Sequence, residues 1–142
     1  MKKLLFFFVV LLTSVQIMAQ DVTDGRRYFS FIVENYETGV TDVPSDQQFQ
    51  SFLQSGATIM AMFTAQWCGP CKMVFPYFSS LATKYPSIAF ITVDVDICPN
   101  TAAEQEISFM PTFILYKDGY KVCEILGANI KQLDSILDVA SH

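Results

Sequence analysis

A nearly continuous apolar run of strand length, "ATIMAMFT" (residues 57–64), is followed after three residues by Cys68-Gly69-Pro70-Cys71 and a helical pattern. No other stretch limits the fold as tightly. A strand without polar alternation is buried on both faces. Behind the cysteines, Val74, Phe78, Leu81 and Tyr85 recur at helical spacing, with Pro76 as an expected kink. The junction places Cys68 at the carboxyl end of a sheet strand, where open α/β folds put their chemistry.

The rest of the pattern begins at Gly39. "VTDV" reads as a brief strand, and Pro44-Ser45-Asp46 starts a helix that runs to about Gln54 and stops at Ser55-Gly56. "SIAFITVDVD" is a second buried strand, and a short polar helix is expected over 101–106. "PTFILY", Lys117-Asp118-Gly119 and "YKVCEIL" make a strand, a tight turn and a strand. Asn129 can cap a last helix carrying Ile130, Leu133, Ile136 and Leu137 on one face. The order β-α-β-α-β-α-β-β-α implies an α/β protein, a central mixed β-sheet flanked by helices on both faces.

The chain's 142 residues suffice for one compact domain. Residues 1–19 read as a signal peptide: "MKK", then an apolar run, then Ala19 at the boundary. The apolar run falls short of the roughly 20 residues that span a bilayer, so no membrane span is expected after cleavage. Losing Lys2 and Lys3 would take the net charge from -5 to -7. Such acidity, without a basic cluster, argues against nucleic acid or an anionic membrane surface as partner. Residues 20–38 form an N-terminal extension whose aromatics, Tyr28, Phe29 and Phe31, fit neither period decisively. Export implies a secreted or other extracytoplasmic location, an endomembrane lumen or a periplasm, where disulfides persist.

Two cysteines three positions apart can bind metal, staple a fold or exchange electrons. A structural zinc site needs four ligands. Cys98 and Cys123 stand apart from the pair and from each other, and the one histidine is the terminal His142. A Cys-His hydrolase lacks its base for the same reason. At a helix start, Cys68 meets unpaired N–H groups and the positive end of the dipole. Lowering a thiol from ~8.5 to ~7 takes about 2 kcal/mol, of which an exposed helix end supplies about 0.3–1. A hydrogen bond from the Cys71 thiol would supply the remainder. The spacing then serves two steps, attack by Cys68 and resolution by Cys71. Alone, however, a C-x-x-C pair is a weak redox signal.

Its context is stronger. "WCGPCK", Pro76, "VDVD", "MPTF", "KDG" and "GAN" together resemble the thioredoxin family, over about Val40 to Val139. The likeness is closer to eukaryotic cytosolic-type thioredoxin domains than to disulfide isomerase domains. It implies a thioredoxin fold over 39–142 and a redox-active disulfide, Cys68–Cys71, with Cys68 as nucleophile and Cys71 as resolving thiol. Gly69-Pro70 would shape the turn, and Trp67 would flank the site as an apolar platform. Met110-Pro111 would be a cis-proline element whose backbone pairs with an extended substrate, and Gly127-Ala128 would complete the groove. The resemblance implies no cofactor. The partners are disulfide-containing proteins and an electron donor that the sequence does not name.

The expected function is an exported thiol–disulfide oxidoreductase, a protein-disulfide reductase. The alternative is a redox-dependent binding module, or a disulfide oxidant or isomerase without efficient reductase activity. Two departures qualify the likeness. Where the family carries a buried carboxylate, six residues before the nucleophile, stands Met62, and Thr92 replaces a basic residue on the next strand. Without that carboxylate, loss of the Cys71 proton should depend more steeply on pH. Cys98 and Cys123 belong to strands too far apart for a disulfide, which leaves both free, with Cys98 a candidate for a disulfide-linked dimer.

Overall fold

The computed structural model describes residues 39–142. The expected signal peptide (1–19) and the extension (20–38) lie outside the described residues. In chain order come β1 (Val40–Asp42), α1 (Asp46–Gln54), β2 (Ile59–Thr64), α2 (Gly69–Lys84), β3 (Ala89–Asp94), α3 (Pro99–Glu104), β4 (Thr112–Lys117), β5 (Tyr120–Leu126) and α4 (Ile130–Ala140). The strands form one sheet ordered β1-β3-β2-β4-β5. β3 runs parallel to β1 and β2, whereas β4 is antiparallel to both β2 and β5.

Local chemistry sets the helix ends. The Ser45 hydroxyl caps α1 by accepting the Gln48 N–H at 3.2 Å, and the Asn129 side chain caps α4 by accepting the Gln132 N–H at 3.2 Å. α3 starts two residues earlier than expected, because Pro99 occupies a first-turn position that needs no N–H donor. It also ends earlier, since Glu106 lies in the left-handed region at φ 57° and cannot continue a helix. Between β4 and β5, Asp118 and Gly119 both take positive φ, 53° and 82°, the geometry of a two-residue hairpin turn. A Cβ on Gly119 would also come within 3.0 Å of the Leu53 carbonyl oxygen, so glycine is required there twice over.

Strand alternation divides the core into two layers. Met60, Met62, Phe90, Phe113, Leu115 and Ile125 face α2 and α4, meeting Val74, Phe78, Leu81, Leu133 and Leu137. Ile59, Ala61, Phe63, Ile91, Val93 and Ile114 face the other way, against Phe49 of α1. The central strands are buried on both sides, which is why β2 reads as a continuous apolar run. α2 continues through Pro76 as one helix of 16 residues, and its buried face holds the carboxyl end of β2, and therefore Cys68, in place.

Cys98 corrects an expectation. It is fully buried at the start of α3, packed in the α1-side layer, with its thiol 3.7 Å from the Val43 carbonyl oxygen. Burial pushes that thiol up, and the charges of Asp46 and Asp94 add to the effect. A protonated, enclosed thiol is a poor bridge to another molecule, so the dimer through Cys98 is not supported. Cys123 packs against the opposite layer, and both thiols are free.

Candidate functional site: the Cys68–Cys71 pair

Cys68 is the N-cap of α2, and Cys71 lies within that helix's first turn. The two form a disulfide with Cα atoms 5.3 Å apart. The Cys68 sulfur also accepts the Cys71 backbone N–H at 3.2 Å. The helix start therefore aims a donor at Cys68, and in the reduced pair that donor stabilises a thiolate there. Pro70 occupies a first-turn position where its missing N–H costs nothing. Gly69 and Pro70 are exposed, while Cys68 is 5 % and Cys71 only 1 % exposed. Both cysteines are thus buried, Cys71 more completely than Cys68.

The surroundings come from three other parts of the chain. Ala65 and the two cysteines form a small apolar cluster, against which Val95 and Met110 pack. The Met110–Pro111 bond is cis, as the resemblance implies. Gly127, at φ 75°, donates its N–H to the Pro111 carbonyl at 2.8 Å and so ties the β5–α4 loop to that proline. Ala128 is exposed beside it. Trp67 is 68 % exposed, which removes core packing as its role. Its indole N–H donates to Asp96 Oδ2 at 2.9 Å, anchoring the ring to the turn after β3.

The sequence reading missed some neighbours. Phe109, 55 % exposed, lies against Gly127: a Cβ there would be 3.5 Å from its Cε1. Asp96 had a signal in "VDVD", but nothing in the motif paired it with Trp67. Met62 is almost fully buried in the layer beneath α2, as its strand position requires. Between it and Cys71 opens a cavity of about 330 Å³, whose wall also carries Asp42, Thr92 and Asp94. No sequence signal marks Asp42, because its place depends on how the strands are laid side by side.

The arrangement can form and break one disulfide, between two cysteines of which Cys71 is the more enclosed. Comparison with known proteins agrees. The thioredoxin family model matches residues 40–139. Thioredoxin from Ovis aries is 44% identical over 101 residues, covering 70% of this chain and 96% of that protein. Thioredoxin from Schistosoma mansoni superposes with a TM-score of 0.67 at 37% identity, covering 70% of this chain and 94% of that one. Mitochondrial thioredoxin 3 from Saccharomyces cerevisiae, in its oxidised form, gives 0.67 at 36% identity over 72% of this chain and 96% of that one. With its sheet order, its helix-start cysteine pair and these relatives, the chain belongs to the thioredoxin family of thiol–disulfide oxidoreductases.

Proposed function

We propose that the protein is exported and reduces disulfides in other proteins, with Cys68 as nucleophile and Cys71 as resolving thiol. The observation that carries the assignment of roles is the Cys71 N–H aimed at the Cys68 sulfur, with Cys71 itself enclosed. The Cys68 thiolate attacks one substrate sulfur, and the substrate S–S bond breaks as a mixed disulfide forms. The first substrate thiolate leaves and takes a proton from solvent. Cys71 then sheds its proton and attacks Cys68 Sγ. The internal disulfide closes, the second substrate thiolate leaves, and two electrons have passed to the substrate. A thiol donor outside this chain must return them.

The half-buried Met110, with exposed Trp67, Phe109 and Ala128 and half-buried Gly127, would offer an extended substrate segment a docking edge. Reduction of insulin by dithiothreitol tests the reading. The wild type is expected to accelerate it, and Cys68→Ser to fall to the uncatalysed rate. Equal rates for wild type and Cys68→Ser would leave the groove as a binding surface only. Export rests on the charged start, apolar run and Ala19 of the sequence. The secreted chain is expected to begin at Gln20 on N-terminal sequencing; a chain that starts at Met1 and stays in the cells sinks that part.

A further inference from the structure

Met62 removes a base from β2, yet the cavity behind Cys71 is not without a carboxylate. Asp42 on β1 pairs in register with Thr92 on β3, and Thr92 pairs in register with Met62 on β2. Register partners share a sheet face, so the three side chains form a row running from the sheet edge toward the resolving cysteine. Thr92 is 6 % exposed and Asp42 exposed, so the row leads from interior to solvent. The Thr92 hydroxyl donates to Asp42 Oδ1. An ionised carboxylate can only accept, so the direction of that bond follows from chemistry. With its hydrogen committed to Asp42, the Thr92 oxygen keeps a lone pair free to accept, and Thr92 lines the same cavity as Cys71.

We propose that Asp42, acting through the Thr92 hydroxyl, takes up the proton that Cys71 releases when it resolves the mixed disulfide. The inference rests on the reductase reading of the site. A proton leaving the Cys71 thiol passes through cavity solvent to the Thr92 oxygen, while the Thr92 hydrogen moves to Asp42. The Cys71 thiolate then forms the bond to Cys68 Sγ as the Cys68–substrate bond breaks. The substrate thiolate carries away the negative charge, and Asp42 returns its proton to bulk solvent. Protons and electrons balance without a co-reactant. The methionine thioether between them is at best a weak acceptor, so the hydroxyl, not Met62, bridges the gap.

Other charged groups on the cavity wall are Lys72 of α2 and Asp94 of β3. Lys72 cannot accept a proton while charged. Asp94 Oδ1 already accepts the Asp96 backbone N–H at 2.9 Å, closing the turn after β3. Asp42 is the carboxylate coupled to a hydroxyl that is itself buried beside Met62.

The test is the lifetime of the mixed disulfide between Cys68 and a peptide disulfide, by acid quench and mass spectrometry, from pH 5.5 to 9.5. Positioned bases contribute about 10²–10⁴-fold, and competition from solvent reduces the share of a relay. In Asp42→Asn, resolution is expected to slow about tenfold near pH 6.5 and to converge with wild type by about pH 9. Thr92→Val should give the same profile, since it keeps the carboxylate and removes the relay. Superimposable profiles, or a drop by one constant factor at every pH, would overturn the proposal. So would a profile that moves with Asp94→Asn and not with Asp42→Asn. Formation of the mixed disulfide is read in the same traces. Its absence in the wild type overturns the reductase reading, and with it this one.

Discussion

Cys71→Ser is expected to halt the protein at the mixed disulfide, with the first attack intact and turnover lost. The expectation comes from the difference between the two sulfurs. Cys68 caps α2 and receives the Cys71 backbone N–H, a contact that a serine at 71 retains. Cys71 is 1 % exposed and lies in the apolar cluster with Ala65, Val95 and Met110, so its contribution is an intramolecular thiol held at bonding distance. Well-oriented intramolecular reactions reach effective concentrations of about 10⁵–10⁸ M, which no added thiol approaches. Without external thiol, release of the second substrate sulfur should slow by at least about 10³-fold. The covalent complex should be visible on a non-reducing gel and vanish with dithiothreitol. Normal release from Cys71→Ser would mean that another group resolves the intermediate. Neither Cys98 nor Cys123 is placed to do so, since they pack in the opposite layers of the core.

Phe78→Ala should be the most damaging single change to the fold among those that leave the cysteines alone. Phe78 is fully buried on the sheet face of α2. Its ring lies edge-on to Phe90 at 5.2 Å and tilted against Phe113 at 5.6 Å, so it joins the helix to β3 and β4 at once. Truncating a buried phenylalanine costs about 3–5 kcal/mol, combining lost transfer energy with an unfilled cavity. Small domains have only about 5–15 kcal/mol in total. Urea unfolding of the oxidised protein should show the midpoint falling by about 1.5–2.5 M for a slope of about 2 kcal/mol/M, the middle of the usual range. Met73→Ala on the same helix, 84 % exposed, should change stability by about 0.5 kcal/mol or less. Equal effects at both positions would contradict the packing of Phe78 between Phe90 and Phe113. Because α2 also carries Cys71, the Phe78 variant should lose disulfide exchange before it unfolds completely.

Features set by near neighbours were legible in the sequence. Ser45 and Asn129 mark helix starts because a cap acts three residues away. Asp118-Gly119 marks the hairpin because only a few residues tolerate positive φ. The buried strands announced themselves by losing alternation, and their order led to the mixed sheet. The helix from about residue 101 was displaced because Pro99 is a start signal that the polar pattern obscured. Sequence spacing alone could not say whether Trp67 was core or rim. Its exposure and its bond to Asp96 depend on a turn 29 residues away.

The sequence by itself determined the pair, its place at a helix start and the family to which these belong, since each depends on residues a few positions apart. It also showed that Met62 stands where a carboxylate was expected. Only the tertiary structure decided what surrounds that substitution. Cys98 is enclosed because α3 folds over one face of the sheet, a placement its neighbours in sequence do not reveal. Asp42, Thr92 and Met62 become neighbours because β1, β3 and β2 lie side by side, although 50 residues of chain separate the first two. Strand register is a property of the assembled sheet, and it puts a carboxylate back into the cavity behind Cys71.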